Sequence, residues 1–230
     1  MFRLQDTSKQ YPHKGSQVTA LQPTSLEISQ GEFVAVIGPS GSGKTTLLSM
    51  LGGMLAPTVG KVWLDDESLY DLTATDRAHA RQQKLGFVFQ TFNLIPYLTA
   101  LENVEVPLML GRPATAADRE RVATLLAKVG LESRMHHKPS ELSTGQQQRV
   151  ALARTLANDP RVILADEPTG NLDPEMREQV LVFLEELRRE GRTVVMVTHD
   201  PSSAARASRV IKLQDGAVVS DSQPKLSRVA

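Results

Sequence analysis

The sequence predicts an α/β fold with a mainly parallel sheet, an N-terminal antiparallel β subdomain and a helical insert subdomain. Three observations support this prediction. Short strand-like runs separated by polar turns fill residues 2–36. Strand-like and helix-like segments alternate around residues 33–54 and again after residue 160. Between residues 91 and 144 a helical period replaces this alternation.

The N-terminal part predicts two strands, FRLQDTSKQY and VTALQPTSLEIS, with the polar PHKGSQ between them as a hairpin loop. FVAVIG, rich in Val and Ile, predicts a buried strand, and KTTLLSMLGGML after it predicts a helix. GKVWLD and LGFVFQ predict two more strands.

Residues 91–144 predict the helical insert. Gly130 follows TAADRERVATLLAKV, where a helix C-cap is expected. The apolar residues of that helix recur with a helical period at Val122, Leu125, Leu126 and Val129.

After the insert, RVILAD, TVVMVTHD and RVIKLQDG predict strands. A helix begins after Asp173, its predicted N-cap, and ends at Gly191. Its predicted core face consists of Met176, Val180, Phe183, Leu184 and Leu187. We predict one domain over residues 1–230. Its parts are a core with the β subdomain (1–90 and 145–220), the insert (91–144) and a flexible polar tail (221–230).

Composition limits the possible functions. The 26 basic side chains balance the 26 acidic ones, and aromatic residues make up 4%, so no nucleic-acid partner is expected. The absence of cysteine excludes disulfides and thiolate metal sites. No apolar run reaches the roughly 18 residues that a membrane helix needs, so we expect a soluble chain that can still attach to a membrane protein.

The most specific motif is GPSGSGKTT, which matches the phosphate-binding pattern G-x-x-x-x-G-K-[ST] between a strand and a helix and predicts a P-loop NTPase core. Lys44 supplies a charge for the β- and γ-phosphates of ATP, and the Thr45 hydroxyl can ligate Mg²⁺. A plain Gly/Ser turn that caps a helix is the alternative. The predicted ATP contacts here are Gly38, Ser40, Gly41, Ser42, Gly43, Lys44, Thr45 and Thr46.

Polar residues also end other predicted strands, where sites in open α/β sheets lie. Asp166 and Glu167 end VILADE, and we expect Asp166 to hold Mg²⁺ and Glu167 to activate water. His199 can bond the γ-phosphate, and Gln90 can reach Mg²⁺ or the water. Acidic residues that merely end a strand and a structural His are the alternatives. With Lys44, these residues form the predicted catalytic set.

Two further features are less specific alone. Tyr11 can stack on a base or be an ordinary edge-strand aromatic. ELSTGQQQ places Ser143, Thr144, Gly145 and Gln146 at a helix start, where unpaired N–H groups attract an anion. An ordinary helix cap is the alternative for Ser143.

Together these residues resemble the ATP-binding-cassette (ABC) family of ATPases over nearly the whole chain. GPSGSGKTT resembles its phosphate loop, LSTGQQQ its signature motif, VILADEP its second nucleotide motif, and GNLD the loop that follows. Gln90, His199 and Tyr11 stand at its single Gln, His and adenine-stacking positions. Thr144 departs from the usual Gly, which would cost about 1–2 kcal/mol if its backbone needed positive φ.

The resemblance implies that two cassettes pack head to tail around two ATP molecules. Residues 143–146, the signature segment, would then contact the γ-phosphate held by the other copy. A homodimer is the simplest way to complete both sites, and hydrolysis would open it. Asp173 would link the two sites near the dimer axis, and it can also cap its own helix.

The segments after Gln90 and around the signature resemble the lipoprotein-release, macrolide-exporter and cell-division branch. That resemblance implies a peripheral subunit on the cytoplasmic side of the membrane, serving a four-helix membrane subunit with a large extracytoplasmic domain. A dock for that subunit is expected at Phe92, Leu94, Ile95 and Tyr97, with ordinary core as the alternative. The alternative functions are a nucleotide-dependent regulatory scaffold and, less well matched, a cassette of translation or DNA repair.

Overall fold

The computed structural model describes residues 1–13, 16–110, 112–170 and 172–222. Its strands are β1 (Phe2–His13), β2 (Ser16–Ile28), β3 (Phe33–Ile37), β4 (Val59–Leu64), β5 (Glu67–Ser68), β6 (Leu85–Phe89), β7 (Val162–Asp166), β8 (Thr193–Thr198), β9 (Arg209–Gln214) and β10 (Ala217–Ser222). Its helices are α1 (Lys44–Leu51), α2 (Ala74–Lys84), α3 (Ala100–Glu105), α4 (Ala116–Lys128), α5 (Thr144–Thr155), α6 (Pro174–Arg189) and α7 (Pro201–Ala204).

The larger sheet has the strand order β10-β9-β3-β8-β7-β6. All its neighbouring strands are parallel except β10 and β9, which form an antiparallel pair. The smaller sheet, β2-β1-β4-β5, is antiparallel throughout. The predicted combination of a mainly parallel core sheet and an N-terminal antiparallel sheet is therefore confirmed.

The larger sheet is covered on both faces, which explains its continuous apolar strands. In β3, Val34 and Val36 face a cluster shared with α1 and the smaller sheet. Phe33 and Ala35 face the opposite cluster, which α6 covers with Val180, Leu181, Leu184 and Leu187. Met176 and Phe183, predicted on the same face of α6, are only partly buried and pack at the margin of this cluster.

The predicted insert contains α3, α4 and three short 3₁₀ turns. Val122 and Leu126 of α4 are buried in a third cluster together with residues of α3 and α5. Thr115 and Asp118 form a reciprocal capping box at the start of α4, and Gly130 follows its end with φ 70°. The insert thus packs against α5, whereas the subdomain limits at residues 91 and 144 stay a prediction.

Helix α5 packs directly against β6 at Gly86. A Cβ atom on Gly86 would lie 2.8 Å from both the carbonyl oxygen and Cγ2 of Thr155, and 2.8 Å from Pro160 Cγ. The Thr155 hydroxyl also donates a hydrogen bond to the Phe87 carbonyl oxygen at 2.9 Å. The absence of a side chain at residue 86 therefore lets α5 rest directly on the sheet.

The structure corrects two predictions about local structure and adds elements that were not predicted. Both strands of the hairpin extend into the predicted loop PHKGSQ, since β1 ends at His13 and β2 begins at Ser16. Lys14 and Gly15 lie outside the described residues. Helix α2 was not predicted. Asp221 and Ser222, assigned to the flexible tail, pair with β9 as part of β10, and residues 223–230 lie outside the described part.

The correction at Asp221 has a physical cause. Arg209, at the start of β9, is 4% exposed, and its guanidinium donates to both carboxylate oxygens of Asp221 at 2.8 and 2.7 Å. It also donates to Glu32 Oε2 at 3.0 Å and to the Glu27 carbonyl oxygen at 2.8 Å. A buried guanidinium needs such partners, and this requirement orders a segment whose polar composition alone indicated a tail.

We expect Asp221→Ala to lower the free energy of unfolding by about 2 kcal/mol, and Tm by roughly 4–8 °C, because Arg209 keeps only Glu32 as an anionic partner. Thermal unfolding followed by circular dichroism measures the change. Asp71→Ala is the control, since Asp71 forms a similarly short ion pair of 2.6 Å with Lys61 in which both side chains are more than half exposed. Equal melting temperatures for the two variants would contradict the prediction.

Candidate functional site

The predicted site residues converge because four neighbouring strands end together. Strands β3, β8, β7 and β6 are consecutive in the sheet, and all four are parallel. Their pairing sets Ile37 opposite Thr198 and Phe89 opposite Asp166. The phosphate loop, His199, Glu167 and Gln90 therefore all leave the same edge of the sheet, as the sequence predicted.

The backbone of the phosphate loop requires its glycines. A Cβ on Gly38 would lie 2.2 Å from the Leu213 carbonyl oxygen, and one on Gly43 would lie 2.3 Å from the Ala20 carbonyl oxygen. Gly41 and Gly43 also have positive φ angles of 78° and 97°. Only glycine fits this tight path, which directs the loop into the N-terminus of α1.

Lys44 lies folded back over this loop. Its side chain is largely buried, and its ammonium group donates to the carbonyl oxygens of Gly38 at 2.8 Å and Pro39 at 3.0 Å. The buried Ser42 hydroxyl oxygen has no hydrogen-bond partner among the described residues. The loop therefore places a positive charge at the cleft, while the Ser42 hydroxyl group stays buried behind it.

The loop forms one wall of a cleft of about 700 Å³, opposite Glu167 and His199. The lining residues are Ala20, Ser40, Gly41, Gly43, Lys44, Thr45, Thr46, Glu167 and His199. Ala20, on the antiparallel sheet, was not predicted, because no local motif marks a residue whose carbonyl oxygen merely lies close to the loop. The remaining loop residues, Gly38 and Ser42, support the cleft without lining it.

Glu167 and His199 contact each other at this cleft. His199 Nδ1 lies 3.0 Å from each carboxylate oxygen of Glu167. The Glu167 backbone has φ 47°, a left-handed conformation that is costly for a residue with a side chain and is typical of functional sites. Its N–H donates to the Val197 carbonyl oxygen at 2.9 Å, which fixes this turn against the end of β8.

The adjacent carboxylate, Asp166, has a different neighbour. The Thr45 hydroxyl donates to Asp166 Oδ1 at 3.4 Å, so two oxygen ligands lie together beside the phosphate loop. Burial raises the pKa of Asp166, and the neighbouring Glu167 charge raises it further, while the Thr45 hydrogen bond lowers it. Such hard oxygen atoms suit Mg²⁺. Within the described ranges no cluster of three or more His, Cys, Asp or Glu side chains could hold a metal ion, so phosphate or water oxygens would have to complete the coordination.

Gln90 and Tyr11 do not line the cleft. Gln90 is exposed after β6, with its Nε2 close to Gly170. Tyr11 pairs with Val18 in the β1–β2 hairpin, two residues from Ala20 of the cleft, and Lys9 Nζ lies 5.2 Å from its ring centroid. Their predicted contacts with Mg²⁺ and adenine stay predictions.

The signature segment also lies outside the cleft lining. Ser143 caps α5 by accepting the Gln146 N–H at 3.3 Å, while Gln146 Oε1 accepts the Ser143 N–H at 2.9 Å. Thr144 begins the helix and has no positive φ, so its replacement of glycine causes no backbone strain. The ordinary capping role of Ser143 is thus present, and a contact with nucleotide stays a prediction.

Asp173 caps α6, accepting the Met176 N–H at 2.9 Å. Its predicted role at a dimer axis remains untested, and Asn171 of the same GNLD loop lies outside the described residues. Met176 of α6 lies close to the start of α5, since a Cβ on Gly145 would be 3.3 Å from Met176 Sδ. The starts of α5 and α6 are therefore in contact.

A second concavity of about 700 Å³, here called the β6 groove, lies between α2, β6 and the segment before α4. Phe89 and Leu110, both exposed, line it, and Phe87 stacks on Phe89 with ring centroids 5.9 Å apart. The sequence had indicated a dock at Phe92, Leu94, Ile95 and Tyr97. Of these, Phe92 and Leu94 pack against core clusters, and Tyr97 is 74% exposed.

No helix in the part of the chain that the structure describes has the length and apolar character needed to cross a membrane.

Comparison with known proteins identifies the family. The model of the ABC transporter family matches residues 21–170, from the core residue Leu21, next to Ala20 of the cleft, to the turn after Glu167. A second model, of an AAA domain, matches residues 137–205, which include the signature segment, Glu167 and His199.

Curated relatives agree. The macrolide export ATP-binding/permease protein MacB of Hyphomonas neptunium is 47% identical over 98% of this chain and 35% of its own length. This chain thus spans about a third of the length of MacB. The uncharacterized ABC transporter ATP-binding protein YvrO of Bacillus subtilis is 45% identical over 99% of both chains.

Solved structures give the same result for the fold. The dimeric structure of MJ0796, a bacterial ABC transporter cassette, matches with a TM-score of 0.89 and 45% identity over 98% of this chain and 99% of that one. A dimeric post-hydrolysis state of MJ0796 bound to ADP and Pi matches equally well in TM-score. The resemblance predicted from the motifs, including the macrolide-exporter branch, is confirmed. The chain belongs to the ABC transporter family, as one of its ATPase cassettes.

Proposed function

We propose that two copies of this chain bind two ATP molecules head to tail and hydrolyse them to power a membrane permease. The observation that carries this proposal is the division of the site. The phosphate loop, Glu167 and His199 share one cleft, whereas the signature segment of the same chain does not line it. The dimeric structures of MJ0796 support the arrangement.

ATP binding uses the phosphate loop. Its inward N–H groups and the N-terminus of α1 favour the triphosphate, and Lys44 exchanges its bonds with the Gly38 and Pro39 carbonyl oxygens for phosphate oxygens. Thr45 and Asp166, with Gln90 as a further ligand, would hold Mg²⁺. When bound, that ion supplies charge neutralisation for the phosphates. Tyr11 lies on the hairpin that carries Ala20 and would stack on adenine.

Glu167 activates the attacking water. Its carboxylate faces the cleft and is held by the left-handed turn after Asp166, so it accepts a proton from water beside the γ-phosphate. His199 turns from Glu167 to a γ-phosphate oxygen. In the structure the Glu167 and His199 side chains are in direct contact. They must separate before a water molecule and a phosphate oxygen can fit between them.

The signature segment completes the partner's site. Ser143 already accepts the Gln146 N–H, but the N–H groups of Thr144 and Gly145, in the first turn of α5, donate to no intrahelical carbonyl oxygen. These donors and the helix dipole suit the γ-phosphate on a second copy. Asp173 lies at the start of the neighbouring helix, which packs against Gly145, and would link the two sites.

The permease is the proposed membrane partner, carried on another chain or on the same one. MacB relatives are named ATP-binding/permease proteins, and this chain matches only about a third of them. The four membrane helices and large extracytoplasmic domain follow from the branch, as does a peripheral position on the cytoplasmic side. We place the docking site at the β6 groove, since Phe89 and Leu110 expose apolar side chains there and Phe89 immediately precedes Gln90. No observation favours a purely regulatory scaffold.

We expect Glu167→Gln to reduce ATP turnover at least about a hundredfold, because an amide cannot accept the proton from water. The variant still binds ATP and should elute in gel filtration with ATP and Mg²⁺ at twice the 25.2 kDa chain mass. Glu120→Gln, at an exposed position on α4, is the control and should behave as wild type. A Glu167→Gln chain that stays monomeric and hydrolyses ATP normally would show that the assignment is wrong.

The division of the site predicts complementation between two inactive variants. Lys44→Ala removes the phosphate charge, and Ser143→Glu sets a carboxylate against the partner's γ-phosphate, so each homodimer should be inactive. Equimolar mixing forms mixed dimers with one intact site, and the ATPase rate should recover to about a quarter of wild type. If the mixture is no more active than its components, each copy must hold a complete site.

The β6 groove predicts a variant that separates membrane attachment from catalysis. Leu110→Glu places a charge on its apolar wall. When residues 1–230 are expressed as a chain separate from the permease, the amount of this chain in washed membranes should fall several-fold because the permease no longer docks. The ATPase rate of the purified chain should not change. Val219→Glu alters a similarly exposed apolar residue on β10 and serves as control. Equal membrane fractions for both variants would place the dock elsewhere.

A further inference from the structure

The segments that carry Glu167 and His199 are also joined by a buried chain of hydroxyl groups. Thr169, two residues after Glu167, is 2% exposed, and Ser203 of α7 is fully buried. Their hydroxyl oxygens lie 3.3 Å apart. The Ser203 hydroxyl in turn lies 2.6 Å from Oδ2 of Asp200, the residue that follows His199. The loop after β7 is thereby connected to the loop after β8.

The direction of these hydrogen bonds follows from their chemistry. An ionised carboxylate only accepts, so Ser203 donates its single hydroxyl proton to Asp200. Thr169 must therefore donate to Ser203. The Ser203 hydroxyl, followed by that of Ser202, holds the pKa of Asp200 well below its usual value. The Asp200 carboxylate at the end of these hydrogen bonds therefore stays ionised. Bonds that run in one direction towards a charge strengthen each other in a buried setting.

Helix capping alone does not account for this arrangement. Asp200 caps α7 by accepting the backbone N–H groups of Ser202 and Ser203, and those two bonds need neither hydroxyl group. Arg177 Nη1, 3.9 Å from Asp200 Oδ2, is the nearby positive charge. Only the Ser203 hydroxyl extends the carboxylate's contacts to Thr169, in another segment of the chain.

The direct contact between Glu167 and His199 is poorly suited to hold the two loops at a fixed spacing during turnover. The His199 side chain is 67% exposed, and the two side chains must separate to admit water and phosphate. The hydroxyl chain involves neither side chain and does not line the cleft. It can therefore remain intact when that contact opens.

We propose that Thr169 and Ser203 are positioning residues, which hold Glu167 and His199 at the spacing that ATP hydrolysis requires. This inference rests on the proposed function of the cleft. It predicts that loss of either hydroxyl group misplaces the water-activating carboxylate relative to the γ-phosphate. Binding of ATP, which depends on the phosphate loop, is unaffected.

Thr169→Val and Ser203→Ala remove one hydroxyl group each with little change of shape. We expect kcat to fall about tenfold in each variant while KM for ATP stays within about twofold of wild type. The double variant should lose no more than either single variant, because one broken link already interrupts the chain. Thr169→Ser retains the hydroxyl group and should recover most of the wild-type kcat.

Ser202→Ala is the matched control. Ser202 donates to the same Asp200 oxygen at 2.7 Å, but it is exposed and does not contact Thr169, so its kcat should equal that of wild type. In the Glu167→Gln background, Ser203→Ala should still form the ATP-bound dimer. This readout of binding does not depend on turnover and also shows that the variant is folded.

An unchanged kcat in Thr169→Val and Ser203→Ala, or an equal loss in Ser202→Ala, would overturn the positioning role. Multiplying effects in the double variant would overturn it as well, and so would a loss confined to KM. In each of these cases wild-type hydrolysis and the Glu167→Gln dimer would leave the proposed function intact. A wild-type chain that hydrolyses no ATP would overturn both.

Discussion

The alignment of four parallel strand ends is the constraint on which the rest of the site depends. Ile37 lies opposite Thr198, and Asp166 lies opposite Val197. A register shift by one residue would move a strand end by about 3.3 Å and turn its side chains to the other face of the sheet. Glu167 and His199 could then no longer meet across the cleft. The buried Val, Ile and Leu residues of both faces fix this register, so core packing and catalytic geometry have the same origin.

The parts of the site that the sequence predicted well are those determined by local chemistry. The phosphate loop needs glycines because carbonyl oxygens lie little more than 2 Å from where a Cβ would be, and that need is visible as a motif. Glu167 and His199 follow strands whose apolar runs are unmistakable. The features that were missed depend on distant partners. Ala20 lines the cleft through the packing of two sheets, and the order of Asp221 depends on Arg209, twelve residues earlier.

The difference between local chemistry and distant partners also explains why the roles of some site residues stay predictions in the structure of a single chain. Ser143, Thr144 and Gly145 lie at the start of α5, where the N–H groups of Thr144 and Gly145 have no intrahelical acceptor. Tyr11 and Gln90 stand beside the cleft without lining it. Each has a role that only nucleotide or a second copy can complete. Whether Thr144 strains the backbone, by contrast, could be decided from one chain, because the answer depends only on the sign of its φ angle.

The close contact at Gly86 restricts how this sequence can diverge. Any side chain at residue 86 would push a backbone carbonyl of α5 away from the sheet, and α5 carries the signature segment at its other end. Most core positions accept substitutions that exchange one apolar shape for another. Substitution of Thr155 or Pro160 could remove two of the three obstructing atoms at residue 86, but the third is the Thr155 carbonyl oxygen of the main chain, which no substitution removes. Mutational drift in this lineage should therefore leave residue 86 as glycine even where its neighbours in β6 vary freely.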